Sequence, residues 1–231
     1  MPSPTRPADD PLVLLPGMNC SARLWSRLDL GPTITPILTE PTLDAQVDRL
    51  LDELPSRFAL AGLSLGALVA MALVRRAPER VSWLGLLSTN PHPPTEVQYA
   101  AWRAQRSALA GGQSARELQA ELLPVLLSPR VIDDRPDLVE ATLRMADEVG
   151  GTALDAQLAL QASRLDERAG LRAVRCPTLI ISARDDALCP VERHEEIHRL
   201  IRGSQLLIID DCAHLSPLEQ PDVISRAVRQ D

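Results

Sequence analysis

Residues 58–74 read FALAGLSLGALVAMALV, with Gly62, Ser64 and Gly66 set into an otherwise apolar run. Such a run can be a buried helix, a membrane span, or a strand and a helix joined by a turn that presents a serine. A span needs about 20 apolar residues; this run has 17, broken near its start by two glycines and a hydroxyl. The local pattern favours the turn. Phe58 to Leu63 reads as a strand apolar on both faces. Leu65 to Ala77 reads as a helix apolar almost all round, closed by Arg75 and Arg76 and stopped by Pro78. Strand, Ser64, helix is the G-x-S-x-G nucleophile elbow, in which a sharp turn lifts the hydroxyl clear of a sheet. Glycine is needed two residues either side because strand and helix approach too closely there for a side chain. The helix start then aims free N–H groups at any anion forming beside Ser64.

The rest of the chain supports a sheet around that turn. Leu12 to Leu15, Pro36 to Thr39, Val81 to Ser88, Thr178 to Ser182 and Gln205 to Ile209 are further strand candidates, mostly apolar on both faces. Strands of that kind belong to a parallel sheet covered by helices on both sides. Leu43, Val47, Leu50, Leu51 and Leu54 share one face of a cover helix, with Thr42 as its cap and Pro55 as its stop. Between Thr89 and Cys176 no strand pattern occurs. Ser114 and Glu117 form a capping-box signature, Pro124 kinks or ends that helix, and Gly150-Gly151 separates two further helical segments.

Composition narrows the function. The chain has 231 residues, a size for one domain with an insertion, and a net charge of −7 in which every cation other than histidine is arginine. No cationic face for nucleic acid is advertised, and the lack of lysine excludes Schiff-base chemistry. The amino-terminal MPSPTRPADDPL has no apolar leader, so a cytoplasmic location is expected. Cys20, Cys176, Cys189 and Cys212 form neither a CxxC pair nor a disulfide framework and read as free thiols.

A nucleophilic serine needs a base and an orienting acid, in the order Ser, Asp, His for this elbow. The strand Thr178 to Ser182 is followed by Asp185 and Asp186, and the last strand by His214, both at the strand ends where open α/β sheets place ligands. Gly17 turns the chain after the first strand, so the N–H of Met18 can join that of Leu65 as an oxyanion donor. Residues 194–198, HEEIH, match a zinc-protease pattern, but no third ligand follows at a supporting spacing, and the segment reads as an ordinary helix remote from the elbow. His92, flanked by Pro91 and Pro93, reads as a loop residue. Ser216 to Glu219, with Pro217 at the first helical position, reads as a second capping box, and Trp25, Trp83 and Trp102 read as core.

From LLPG through GLSLGA to AHLSPLEQP the sequence resembles the α/β-hydrolase superfamily over almost its whole length. The resemblance implies an α/β-hydrolase fold with six parallel strands in spatial order 2-1-3-4-5-6. It implies a core of residues 1–90 and 173–231 and a helical cap of residues 91–172. It also implies Ser64 as nucleophile, His214 as base, and Met18 and Leu65 as oxyanion donors. In relatives the acid stands four residues before a proline that opens a helix, which selects Asp186 ahead of Pro190. Asn19 and Gln157 are expected on the substrate side, Gln157 polarising a substrate group. Two features depart from the usual pattern: Pro16-Gly17 replaces the His-Gly of the oxyanion loop, and an amino-terminal hairpin has no room. The expected activity is hydrolysis of an ester or similarly activated acyl bond in a small, largely apolar molecule, with no cofactor or metal and no nucleic-acid or membrane partner. Acyl transfer, carbon–carbon bond hydrolysis or a non-hydrolytic receptor on the same fold are the alternatives.

Overall fold

The computed structural model describes residues 6, 7 and 9–229. The first five residues, part of the segment without an apolar leader, lie outside the described residues. Six parallel strands form one sheet in the order β2-β1-β3-β4-β5-β6: β1 (Leu12–Leu15), β2 (Thr33–Ile34), β3 (Phe58–Leu63), β4 (Val81–Leu87), β5 (Thr178–Ala183) and β6 (Gln205–Ile209). The order is the expected one. The alternation of side chains along each strand feeds two cores. Val13, Leu15, Phe58, Leu60, Leu84 and Leu86 pack on one face with α1 (Leu43–Glu53), α2 (Leu65–Arg76) and α8 (Val191–Leu200). Leu12, Leu14, Ala61, Leu63, Trp83 and Ile181 pack on the other with α10 (Pro221–Arg229).

Strand β2 corrects the reading of Pro36 to Thr39. The edge strand is Thr33–Ile34, paired with Leu12 and Val13. The segment that follows bonds to side chains: the N–H groups of Thr39 and Glu40 donate to Gln46 Oε1 at 2.9 and 3.1 Å, and the Leu38 carbonyl accepts from Gln157 Nε2 at 2.9 Å. Those partners leave these three backbone groups nothing to contribute to a ladder.

Between β4 and β5 run only helices: α3 (Glu96–Ala110), α4 (Ala115–Leu126), α5 (Pro129–Asp134), α6 (Pro136–Ser163) and α7 (Arg168–Leu171). The Ser114/Glu117 capping box is present. Pro124 sits inside the last turn of α4, which ends two residues later. The helix α6 is broken at Gly150, whose φ of 74° and ψ of 166° are open to glycine at little strain. Where the insertion returns to the core, Glu167 is buried, its N–H donating to the Pro91 carbonyl and its carboxylate accepting both Nε and Nη2 of Arg75 on α2 at 3.0 and 3.2 Å. This two-point pairing fixes both chain crossings against the core helix. His92 lies at the same crossing, against Glu196 at 2.6 Å.

The short helix α9 (Ser216–Glu219) also differs from expectation. Its cap residue is Leu215, so Ser216 is already helical and its buried hydroxyl finds no partner. Glu219 reaches across to the N–H of Ser128 at 3.1 Å, the cap of α5, and burial raises its carboxyl above the usual range against the opposing bonds from Ser128.

Candidate active site

The elbow is built as its glycines require. A Cβ on Gly62 would stand 2.4 Å from the carbonyl of Gly66, and one on Gly66 would stand 2.1 Å from the carbonyl oxygen of Leu15 on β1. Backbone occupies both spaces, so neither clash can relax through a rotamer. Between them Ser64 adopts φ 54° and ψ −113°, a conformation costly for a residue with a side chain. Its N–H donates to the Leu87 carbonyl at 2.9 Å and its carbonyl accepts from the Leu68 N–H at 3.0 Å, which locks the turn to β4 and α2. Leu65 opens α2, so its N–H precedes the intrahelical ladder.

Asp186 and His214 are brought together as the chain order demands. Asp186 Oδ2 accepts from His214 Nδ1 at 2.8 Å, and Oδ1 accepts from the N–H groups of Leu188 and Cys189 at 2.9 Å each. Both side chains are buried. Burial pushes the Asp186 carboxyl upward, but the imidazole and the two N–H donors outweigh it and hold the group below its ordinary range. Asp185 is exposed, its N–H donating to the Cys212 carbonyl. An imidazole bonded through Nδ1 to a carboxylate presents Nε2 as its remaining proton acceptor. Ser64 and His214 line one cavity of about 240 Å³ together with Gly17 and Met18.

Asn19 and Gln157 stand behind that cavity. Gln157 is 1% exposed; its Oε1 accepts from the Asn19 N–H at 2.8 Å while its Nε2 serves Leu38. Asn19, at φ 57°, donates from Nδ2 to the Ala115 carbonyl and to Gln119 Oε1 at 3.0 and 2.9 Å. Neither residue lines the cavity; both amides clamp the turn that carries Met18 to α4 and α6. That turn is closed by the Cys20 N–H on the Gly17 carbonyl at 3.1 Å.

Both histidines of HEEIH are committed elsewhere. His194 is fully buried, accepts the Thr89 N–H on Nε2 at 2.9 Å and faces the Pro190 carbonyl through Nδ1 at 3.3 Å; burial pulls its pKa down to about 4. His198 Nδ1 meets Ser204 Oγ at 2.9 Å. Among the described residues a group with metal-ligand spacing is Asp186, Cys189 and His214, whose ligand atoms lie within 4.8 Å of one another. Burial pushes the Cys189 thiol well up, so it stays protonated there.

The cavity walls are mostly apolar, with a polar minority. Leu63, Leu122, Leu126 and Trp102 line it, but so do Asn90, Gln98, Gln105, Gln119, Gln161 and Arg164. Trp102 reads from the sequence as core, whereas Gln98, Gln105, Gln119, Gln161 and Arg164 are long polar side chains on or at the end of helical patterns, which read as solvated faces.

The sequence profile of the alpha/beta hydrolase family matches residues 12–227. The chain belongs to the alpha/beta hydrolase family. This hydrolase is 33% identical over 234 aligned positions to a pimeloyl-[acyl-carrier protein] methyl ester esterase of Aromatoleum aromaticum, covering 91% of this chain and 93% of that one. A protein of the same name from Nitrosomonas europaea is 29% identical, covering 78% and 73%. In fold the hydrolase superposes on a thermophilic esterase from Thermogutta terrifontis with a TM-score of 0.81 at 24% identity, over 99% of this chain and 90% of that one. Among the described residues no helix is long and apolar enough to cross a membrane.

Proposed function

We propose that the hydrolase cleaves a carboxylic ester of a small molecule through an acyl-enzyme on Ser64. His214 Nε2 takes the Ser64 proton as Oγ attacks the ester carbonyl, and returns it to the leaving alcohol. Asp186 holds the imidazole by Nδ1 and stabilises the imidazolium. The N–H groups of Met18 and Leu65 receive the oxyanion, and Asn19 and Gln157 position Met18 by fastening its turn to the cap. Water activated by the same histidine then releases the acid. The cap of residues 91–172 closes the cavity over the core of residues 1–90 and 173–231.

The observation that carries this reading is the buried Asp186–His214 pair at 2.8 Å opening onto the cavity that holds Ser64 at a strained helix N-terminus. A relative named for methyl ester cleavage supports an ester over other acyl bonds. Turnover of p-nitrophenyl acetate and butyrate by the purified protein and by Ser64→Ala tests it. The wild type should turn both over, and the variant should lose turnover at an unchanged melting temperature; equal rates in the two proteins would remove Ser64 from the reaction.

A further inference from the structure

Ester hydrolysis by the triad leaves one group in the cavity without a task. Arg164 closes α6 and is only 6% exposed, yet it lines the cavity. Its guanidinium lies over the Trp102 ring, 5.4 Å from the centroid. Nη1 donates to Gln161 Oε1 at 3.2 Å and Nη2 to Gln98 Oε1 at 2.9 Å. Gln98 is itself fixed, because the same oxygen accepts the Thr95 N–H at 3.0 Å in the capping box of α3. Nε is buried with no partner, and among the described residues no carboxylate oxygen lies within 4.0 Å of Arg164. Arg75 shows the contrast: more exposed, it holds Glu167 at two points.

Arginine is almost never buried without a counter-charge, since an unpaired guanidinium forfeits its hydration. Burial accordingly lowers its pKa, opposed by the thiol of Cys189 and the phenol of Tyr99, neither of them a carboxylate. Two amide oxygens and an aromatic face hold the fork in place without neutralising it. The missing anion must then come from what enters the cavity.

We infer that Arg164 is an anion-binding residue, and that the substrate is an ester that also bears a free carboxylate. A carboxylate fits better than a phosphate because its two oxygens match the guanidinium fork and its single charge needs one cation. Among the described residues Arg164 is the one arginine in the cavity lining. Monoesters of short dicarboxylic acids are the simplest molecules of this class that suit a cavity of about 240 Å³. This assignment rests on the hydrolase reading of Ser64, and its test has one arm that does not.

Methanol release is measured from the monomethyl and dimethyl esters of succinic, glutaric and adipic acid, pairs that differ in charge and one methyl group. The wild type should favour at least one monomethyl ester over its dimethyl counterpart by about tenfold or more in kcat/KM. Arg164→Gln should bring that ratio to about one through KM, and Arg164→Lys should keep part of it. A wild type that favours the dimethyl esters, or an Arg164→Gln variant that slows both esters equally and keeps the ratio, overturns the assignment and leaves Arg164 as a fastener of α3 to α6. The second arm uses Ser64→Ala, which needs no turnover: glutarate and monomethyl glutarate should raise its melting temperature, and dimethyl glutarate should not. Failure of all esters to react while these shifts appear would count against the ester chemistry alone. Absence of any shift, together with no inhibition of the wild type by glutarate, would overturn the anion site even if Arg164→Gln failed to fold.

Discussion

His194 makes folding stability depend on pH in a window its burial defines. Its pKa is pulled from 6.5 to about 4 by desolvation, with the nearby His214 acting in the same sense and Asp186 and the Pro190 carbonyl opposing. The folded state therefore prefers the neutral ring, whose Nε2 accepts the Thr89 N–H. A depressed folded pKa means that the unfolded chain binds the extra proton between pH 6.5 and 4, so this stability is complete above pH 6.5 and is lost as pH falls towards 4. A shift of about 2.5 units corresponds to about 3 kcal/mol in all, of which about 2 kcal/mol is gone by pH 5. Urea denaturation of the wild type and of His194→Gln at pH 8 and pH 5 isolates the term, because the carboxylates titrate alike in both proteins. The wild type should lose about 2 kcal/mol more than the variant between the two pH values. Equal losses would show that His194 is not held neutral by its burial.

Gly66→Ala places a Cβ 2.1 Å from the Leu15 carbonyl oxygen, and the forced movement of β1 against α2 should remove about 3 kcal/mol or more, a fall of roughly 6–12 °C by calorimetry; a melting temperature within experimental error of wild type would contradict the packing. Asp186→Asn should lower ester turnover by about 10³ to 10⁴, because the amide favours the wrong imidazole tautomer, whereas Asp185→Asn should cost less than about tenfold. The reverse order in steady-state kinetics would move the acid by one residue. Gln157→Leu strands the Asn19 N–H and the Leu38 carbonyl, each worth about 1–3 kcal/mol when buried unpaired. It should lower kcat more than it raises KM as the Met18 turn loosens, and a change confined to KM would return Gln157 to substrate contact.

Features set by steric rules over a few residues were legible in the sequence. Gly62 and Gly66 announce the elbow because any side chain there would strike backbone, β3 through β5 announce themselves by buried apolar runs, and β6 by a leucine and isoleucine run that is half-buried. The edge strand was misplaced because a two-residue pairing carries almost no pattern, and residues 36–39, though apolar, give their hydrogen bonds to Gln46 and Gln157 instead. The Ser216–Glu219 box had the right letters, but Glu219 found a partner in Ser128, 91 residues away, which spacing cannot foretell. Gln98, Gln161 and Arg164 were invisible for the same reason. On their own helices they look solvated, and only the packing of α3 against α6 turns them inward.

The central claim is that Ser64 is the nucleophile, and covalent capture tests it most directly. After incubation with a fluorophosphonate, intact mass and peptide mapping should show one adduct per chain, on the peptide containing Ser64, with much slower labelling in Asp186→Asn and none at that position in Ser64→Ala. An esterase-active wild type that takes up no adduct, or carries it on another residue, would contradict the account.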